Sequence, residues 1–406
     1  MLYNTAILLY DLIVHIATLF NRKARLMVRG HWAVYNHLKK NIDPNAEYLW
    51  FHAASLGEFE QGRPLIEAIR ERHPQYKILL TFFSPSGYEV RKNYAGADIV
   101  CYIPFDIKHL AKRFINIANP KMAFFIKYEF WRNFLDELHR RGVPTYSVSS
   151  IFRPEQIFFK WYGGNYRSVL GDFDRLFVQN ESSRKLLKSI GVENVDVVGD
   201  TRFDRVITIR DAAKPVAIAE TFKNGSRVLV AGSTWDPDEE YLISMFNARP
   251  DLKLIIAPHV ISEDHIERIV AKLKRPYVRY SQVNEHDLMN KDCLIIDNYG
   301  MLSSIYRYGE IAYIGGGFGV GIHNTLEAAV YGVPVIFGPN HKRFQEAMAL
   351  KEQGGAFAIN NGDDLNNIMD RLLTDDEFLK SSGVKAGAYV TDNAGASEKV
   401  LKYIGL

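Results

Sequence analysis

The sequence has 406 residues, 47% of them apolar and 24% charged, with a net charge of +3. That length calls for more than one core. The composition is that of a folded protein, and so small a net charge excludes nucleic-acid binding driven by overall positive charge. Cys101 and Cys293 lie far apart with no CxxC or CxxH spacing, and the twelve histidines show no HExxH pattern. Neither a disulfide framework nor a metal centre is expected.

Residues 1–20 are nearly all apolar and about long enough for a bilayer-spanning helix. Asn4, Asp11, His15 and Thr18 nevertheless fall on one narrow helical face. The segment can therefore span, lie in the interface, or dock its polar stripe on its own domain. No A-x-A cleavage site follows it. Arg22, Lys23, Arg25 and Arg29, then Lys39 and Lys40, form a basic flank. This cluster predicts membrane association with the rest of the chain on the cytoplasmic side.

From Tyr48 the pattern alternates between strand and helix. Strands are predicted at 48–52, 77–83, 99–103, 121–126, 145–149 and 175–179, with an amphipathic helix from Phe59 to Arg72. Residues 205–225 lose this periodicity and read as a linker. Strands resume at 227–231, 253–257, 293–297, 311–314 and 335–337. Such alternation predicts α/β architecture: two Rossmann-like, doubly wound domains facing a cleft, each with right-handed crossovers. The expected divisions are 1–40 for the membrane-associated helix and flank, 41–210 for the N-terminal domain and 211–406 for the C-terminal domain. The final helices, from Asp363 onward, are candidates to pack back on the N-terminal domain.

Strand 311–314 runs into five glycines within seven residues, Gly315 to Gly321, followed by a predicted helix with Asn324 as N-cap and Glu327 three residues on. Glycines admit close backbone approach, and a helix start offers unpaired N–H groups, so Gly316, Gly317, Gly319 and Gly321 are candidate receivers of a phosphate or carboxylate. Glu327 suits a ribose diol beside that anion. Together they predict a nucleotide pocket.

In doubly wound folds the loops at strand C-termini carry the chemistry. In the first half they offer Ser55, Gly57 and Glu58; Ser84, Ser86 and Gly87; Lys127 and Glu129; Asn180 and Glu181; and Asp200, Arg202 and Asp204. The second half offers Ser233, Thr234 and Trp235; Pro258 and His259; Tyr299, Gly300 and Met301; and Asn324, Thr325, Leu326 and Glu327. Glu129 and Arg202 also admit a purely structural reading, as an ion pair.

Five blocks, Trp50-Phe-His-Ala-Ala-Ser-Leu-Gly-Glu58, Glu129-Phe-Trp-Arg-Asn133, Gln179-Asn-Glu181, Gly199-Asp-Thr-Arg-Phe-Asp204 and Gly315-Gly through His323-Asn-Thr-Leu-Glu327, make the chain resemble the 3-deoxy-D-manno-octulosonic acid (Kdo) transferases of lipid A biosynthesis. These are inverting glycosyltransferases of the GT-B fold. The resemblance implies CMP-Kdo as donor, a lipid A precursor as acceptor, no cofactor, no metal, and work among inner-membrane lipids at the cytoplasmic face of a Gram-negative cell. It implies Glu58 as general base, with Glu129 and Arg202 stabilising the transition state. Ser55, Gly57 and Ser86 are then acceptor-side candidates. It places CMP at Pro258, His259, Tyr299–Met301 and Asn324–Glu327. The family often has lysine where Arg202 stands, arginine at His259 and glutamate at Met301. Aromatic residues Phe152, Phe158, Phe159 and Trp161 are candidates to sit near acyl chains. Two other readings stay open: a GT-B enzyme or epimerase using a UDP-sugar, and a non-catalytic nucleotide-sugar sensor.

Overall fold

The computed structural model describes residues 2–283 and 285–406, so Met1 lies outside the described part of the N-terminal segment. The chain divides into two compact units, residues 1–205 with 394–406, and residues 206–393. The division falls inside the helix Thr201–Ala212, within the stretch read as a linker. That stretch is instead helical, with a second helix at Ala217–Lys223. Phe203, Val206, Ala219 and Phe222 are buried on these helices, an apolar spacing that the intervening charges conceal in the sequence. Of the helices after Asp363, Asp376–Asp392 stays in the second unit. Only Ala396–Ile404 returns to the first, where Ala396, Val400 and Leu401 join its core.

The first unit opens with α1 (Leu2–Ala17), α2 (Arg22–Asn41) and, after the first strand, α3 (Leu56–Arg72). Its strands are β1 (Tyr48–Ala53), β2 (Lys77–Phe82), β3 (Ile99–Tyr102), β4 (Pro120–Ile126), β5 (Thr145–Ser150), β6 (Arg175–Val178) and β7 (Val195–Val197). They form one parallel sheet in the order β3-β2-β1-β4-β5-β6-β7. Side chains alternate along each strand. Tyr48 and Trp50 enter one core layer with Phe125 and Phe134, and Leu49 and Phe51 enter the opposite layer with Phe124 and Leu80. Burial on both faces explains why these strands read as continuous apolar runs.

The second unit repeats the plan with β8 (Arg227–Thr234), β9 (Leu252–Pro258), β10 (Tyr277–Arg279), β11 (Cys293–Ile295), β12 (Ile311–Ile314), β13 (Val335–Phe337) and β14 (Ala356–Ala358). The order is β10-β11-β9-β8-β12-β13-β14, again parallel. In each sheet the winding reverses beside the first strand, between β1 and β4 and between β8 and β12. A crevice opens at such a switch point at the strand C-termini. Cys101 and Cys293 are free and buried.

The polar stripe of α1 docks on its own unit. Tyr3 Oη donates to Asp106 Oδ2 at 2.5 Å and Asn133 Nδ2 donates to Asn4 Oδ1 at 3.0 Å. Docking turns the apolar face outward, leaving Leu8, Leu9, Leu12, Ile13 and Ile16 exposed, with Leu19 and Phe20 beyond the helix and Trp32 on α2. No helix among the described residues is long and apolar enough to cross a membrane.

Candidate active site

In the first unit both loops at the switch point carry a predicted acid. Glu58 occupies the first turn of α3, directly after β1. Its Oε2 accepts from Ser55 Oγ, and its Oε1 lies 3.7 Å from Lys127 Nζ at the end of β4. Lys127 has the left-handed φ of +68°, unusual for a residue with a Cβ. It is fixed there by its N–H donating to Val148 O and its carbonyl accepting from Ser150 Oγ.

Glu129, two residues on, is buried and turned toward His52 in the last turn of β1. Glu129 Oε2 sits 3.2 Å from His52 Nε2 and accepts from Trp131 Nε1 at 2.5 Å. His52 pairs with Thr81 across the strands, and its Nδ1 lies 2.9 Å from Thr81 Oγ1. That hydroxyl donates to Phe51 O and accepts from Trp50 Nε1, so it is an acceptor toward His52 Nδ1–H. Trp131 Nε1 also donates to His52 Nε2 at 3.1 Å, so imidazole and carboxyl share this indole donor. His52 and Thr81 were missed in the sequence because they look like ordinary strand residues. A histidine near the C-terminal end of a switch-point strand is the signal that was available.

Arg202 grips Asp200, with Nε 2.8 Å from Oδ2 and the backbone N–H donating to Oδ1 at 2.9 Å. Asp200 also accepts from Gln61 and Ser149. Gly57 lies beside Ser55, whereas Ser86 is exposed and bonded to Ser84 Oγ. Asn180 caps the helix Glu181–Lys188. Phe152 and Phe158 are core residues packed with Phe130, so they are not available to an acyl chain, while Trp161 is 92% exposed.

In the second unit the helix after the glycines differs from expectation. It spans only Leu326–Ala329 and Thr325 holds the N-cap position. Asn324 Oδ1 accepts from Leu326 N–H, and Asn324 Nδ2 donates to Glu327 Oε1 at 3.1 Å. Ser303 Oγ donates to Glu327 Oε2 at 2.6 Å, which ties the segment after Tyr299-Gly300-Met301 to Glu327. Tyr299 is exposed, Gly300 takes φ +94°, and the Met301 sulfur accepts from Asn298 Nδ2.

Three of the loop's glycine amides have acceptors within this unit. Gly316 N–H donates to buried Asp238 Oδ2 at 2.8 Å, and the Gly319 and Gly321 amides both donate to Gly316 O. Asp238 also accepts from Tyr313 Oη and from Trp235 N–H, and burial raises its carboxyl above the usual range. Gly317 also serves close packing. A Cβ on Gly317 would stand 2.5 Å from Gly338 N.

At the switch point of this unit, His259 stacks on Trp235 and on His323, each pair with ring centres 4.6 Å apart. Trp235 Nε1 donates to His323 Nε2 at 3.2 Å. Burial, and then the neighbouring His259, hold the His323 imidazole below its usual range. The Pro258–His259 corner and the Asn324–Glu327 segment are thus joined through His323.

Among the described residues, Asp236, Glu239 and His265 offer atoms within 4.8 Å of one another, close enough for a metal ion. Arg268 already lies 3.2 Å from His265 Nδ1 and 3.4 Å from Asp236. Its guanidinium supplies the positive charge at this cluster.

Residues 27–205 match the family model of the 3-deoxy-D-manno-octulosonic-acid transferases. Along most of its length the chain is also similar to curated Kdo transferases. It is 25% identical to that of Haemophilus influenzae over 372 residues, 88% of this chain and 86% of the relative. It is 28% identical to that of Aquifex aeolicus over 343 residues, 82% and 88%. Both its first half and most of its length are thus similar to Kdo transferases. Kdo transferases are glycosyltransferases, and this chain has a GT-B fold. Its fold is similar to that of the UDP-GlcNAc 2-epimerase of Neisseria meningitidis, with a TM-score of 0.63 at 14% identity over 88% of this chain and 99% of that one.

Proposed function

We propose that this protein is a Kdo transferase that moves Kdo from CMP-Kdo to the distal glucosamine 6-hydroxyl of a tetraacylated, bisphosphorylated lipid A precursor, with inversion and without a metal. The observation that carries this reading is the placement of Glu58. It is a carboxylate on the first turn of α3, at the switch point, oriented by Ser55 and facing Lys127.

Glu58 takes the proton of the acceptor hydroxyl as its oxygen forms a bond to the anomeric carbon of Kdo. The bond from that carbon to the CMP phosphate breaks at the same time, and CMP leaves with the electron pair. Attack opposite the leaving group inverts the centre. The Lys127 ammonium faces the base, while the His52–Glu129–Trp131 cluster and Arg202 supply hydrogen-bonding groups and a fixed positive charge where charge develops. In the second unit, Glu327 receives the ribose, and His259 with Pro258 lies beside the cytidine.

We further infer that the protein rests on the inner membrane at its cytoplasmic face without spanning it. The exposed apolar face of α1 and the exposed cations Arg22, Lys23, Arg25 and Arg29 suit an interfacial helix on anionic lipid. The test of the reaction is transfer from CMP-Kdo to the lipid A precursor in detergent. Product mass reports the sugar added, and the configuration at the new linkage reports inversion.

A further inference from the structure

The glycine loop has a second side that the reaction described above does not use. The Gly316, Gly319 and Gly321 amides are spent on Asp238 and on the loop's own turn, so positive charge for an anion on this side comes from side chains. They are present on the segment after β13. Asn340 pins the loop through N–H to Gly317 O at 2.9 Å and Nδ2 to Gly319 O at 2.7 Å. Arg343 donates to Val320 O and lies over the Phe344 ring. Gly321 has φ +132°, and a Cβ there would stand 2.5 Å from the Arg343 guanidinium. The glycine is thus required for this arginine to dock.

Between the loop tip and this segment lies a cavity of about 670 Å³ whose polar lining includes Asn340, His341, Lys342, Arg343, Lys351 and Asn360. No carboxylate lines it. Among the described residues neither Lys342 nor Lys351 has an ion-pair partner. Gly319 borders it, whereas none of Pro258, His259, Tyr299–Met301 and Asn324–Glu327 does. Lysine ammonium groups around a fixed guanidinium recognise compact anions.

We propose that this cavity binds an anionic group of a substrate, a phosphate or a carboxylate, separately from the nucleotide. The proposal rests on the Kdo-transfer reading for its source: either the phosphate of the acceptor or the carboxylate of the Kdo sugar. Its test does not depend on transfer. The full chain in detergent, at constant ionic strength, is titrated with inorganic phosphate, with free Kdo and with CMP, following thermal unfolding. The same titrations are run on Lys342→Gln/Lys351→Gln and on Gly321→Ala.

The wild-type chain should bind phosphate or Kdo saturably, and the double variant should bind that anion about tenfold more weakly, the effect of one lost charge-assisted hydrogen bond. Its CMP affinity should stay within about twofold. Gly321→Ala, which expels Arg343, should repeat the loss. A response to phosphate alone assigns the acceptor, and a response to Kdo alone assigns the donor sugar. Absence of saturable anion binding in the wild type, equal binding in the double variant, or a parallel loss of CMP affinity each overturns the proposal. Failure of Kdo transfer with anion binding intact would overturn the reaction instead.

Discussion

Lys127 Nζ stands 3.7 Å from Glu58 Oε1, joining the loops after β4 and β1 across the switch point of the first sheet. Lys127 adopts the left-handed backbone that glycine prefers, which costs a residue with a Cβ about 1 kcal/mol or more. Lys127→Gly should therefore leave the unfolding midpoint equal or higher while lowering kcat about tenfold, since the base loses its nearest cation. Parallel measurement of Tm and kcat separates the effects. A drop in Tm with kcat unchanged would mean that Lys127 serves only the fold.

Trp131 Nε1 donates to both His52 Nε2 and Glu129 Oε2, and His52 links this cluster to Thr81. His52→Asn removes the imidazole that links Thr81 to Glu129, and Trp131→Phe removes only the indole donor. His52→Asn is expected to lower kcat by roughly 10²-fold, with the KM for CMP-Kdo little changed. Trp131→Phe should cost less. Steady-state kinetics with each substrate varied separately decides this, and a change confined to KM contradicts the assignment.

Much of the architecture was legible because strands buried on both faces read as apolar runs, as in Tyr48–Ala53 and Ile311–Ile314. The strands Val195–Val197, Tyr277–Arg279 and Ala356–Ala358 were missed. Each is three residues long and lies at a sheet edge, where neighbouring backbone rather than side-chain pattern makes the strand. Glu58 and Glu129 were readable because each follows a strand directly. The fate of the Gly316 amide was not, because its acceptor Asp238 lies 78 residues away.

Asp238 receives three donors from one buried carboxylate. Asp238→Ala leaves Gly316 N–H, Trp235 N–H and Tyr313 Oη without this acceptor, at about 1–3 kcal/mol for a buried unsatisfied group. Chemical denaturation should register a loss of at least that size, together with weaker CMP binding. Unchanged stability would mean that the loop holds its shape without Asp238.

His323 accepts from Trp235 only as neutral imidazole, and its folded pKa lies below the ordinary 6.5. The folded state therefore binds the proton less readily than the unfolded one. This contribution to stability is complete above about pH 6.5 and is lost as pH falls toward the lowered value. His323→Gln should flatten this part of the stability profile, measured by denaturation between pH 5 and 7.5. An identical slope in the variant assigns the dependence elsewhere.

Ile13 and Ile16 lie on the exposed face of α1. Ile13→Glu/Ile16→Glu should reduce cosedimentation with anionic vesicles at least tenfold, since a buried isoleucine contributes about 1.5–3 kcal/mol. Transfer to a detergent-solubilised acceptor should be far less affected. Vesicle binding that survives the pair would place the contact on another surface.

The most direct test of the central claim is transfer from CMP-Kdo to the lipid A precursor in detergent with EDTA, comparing the intact chain with Glu58→Gln. Activity that persists under EDTA, with a fall in kcat of about 10²–10⁴-fold in the variant, is the predicted result. Transfer that continues undiminished in Glu58→Gln, or stops in EDTA and returns with a divalent cation, would contradict it.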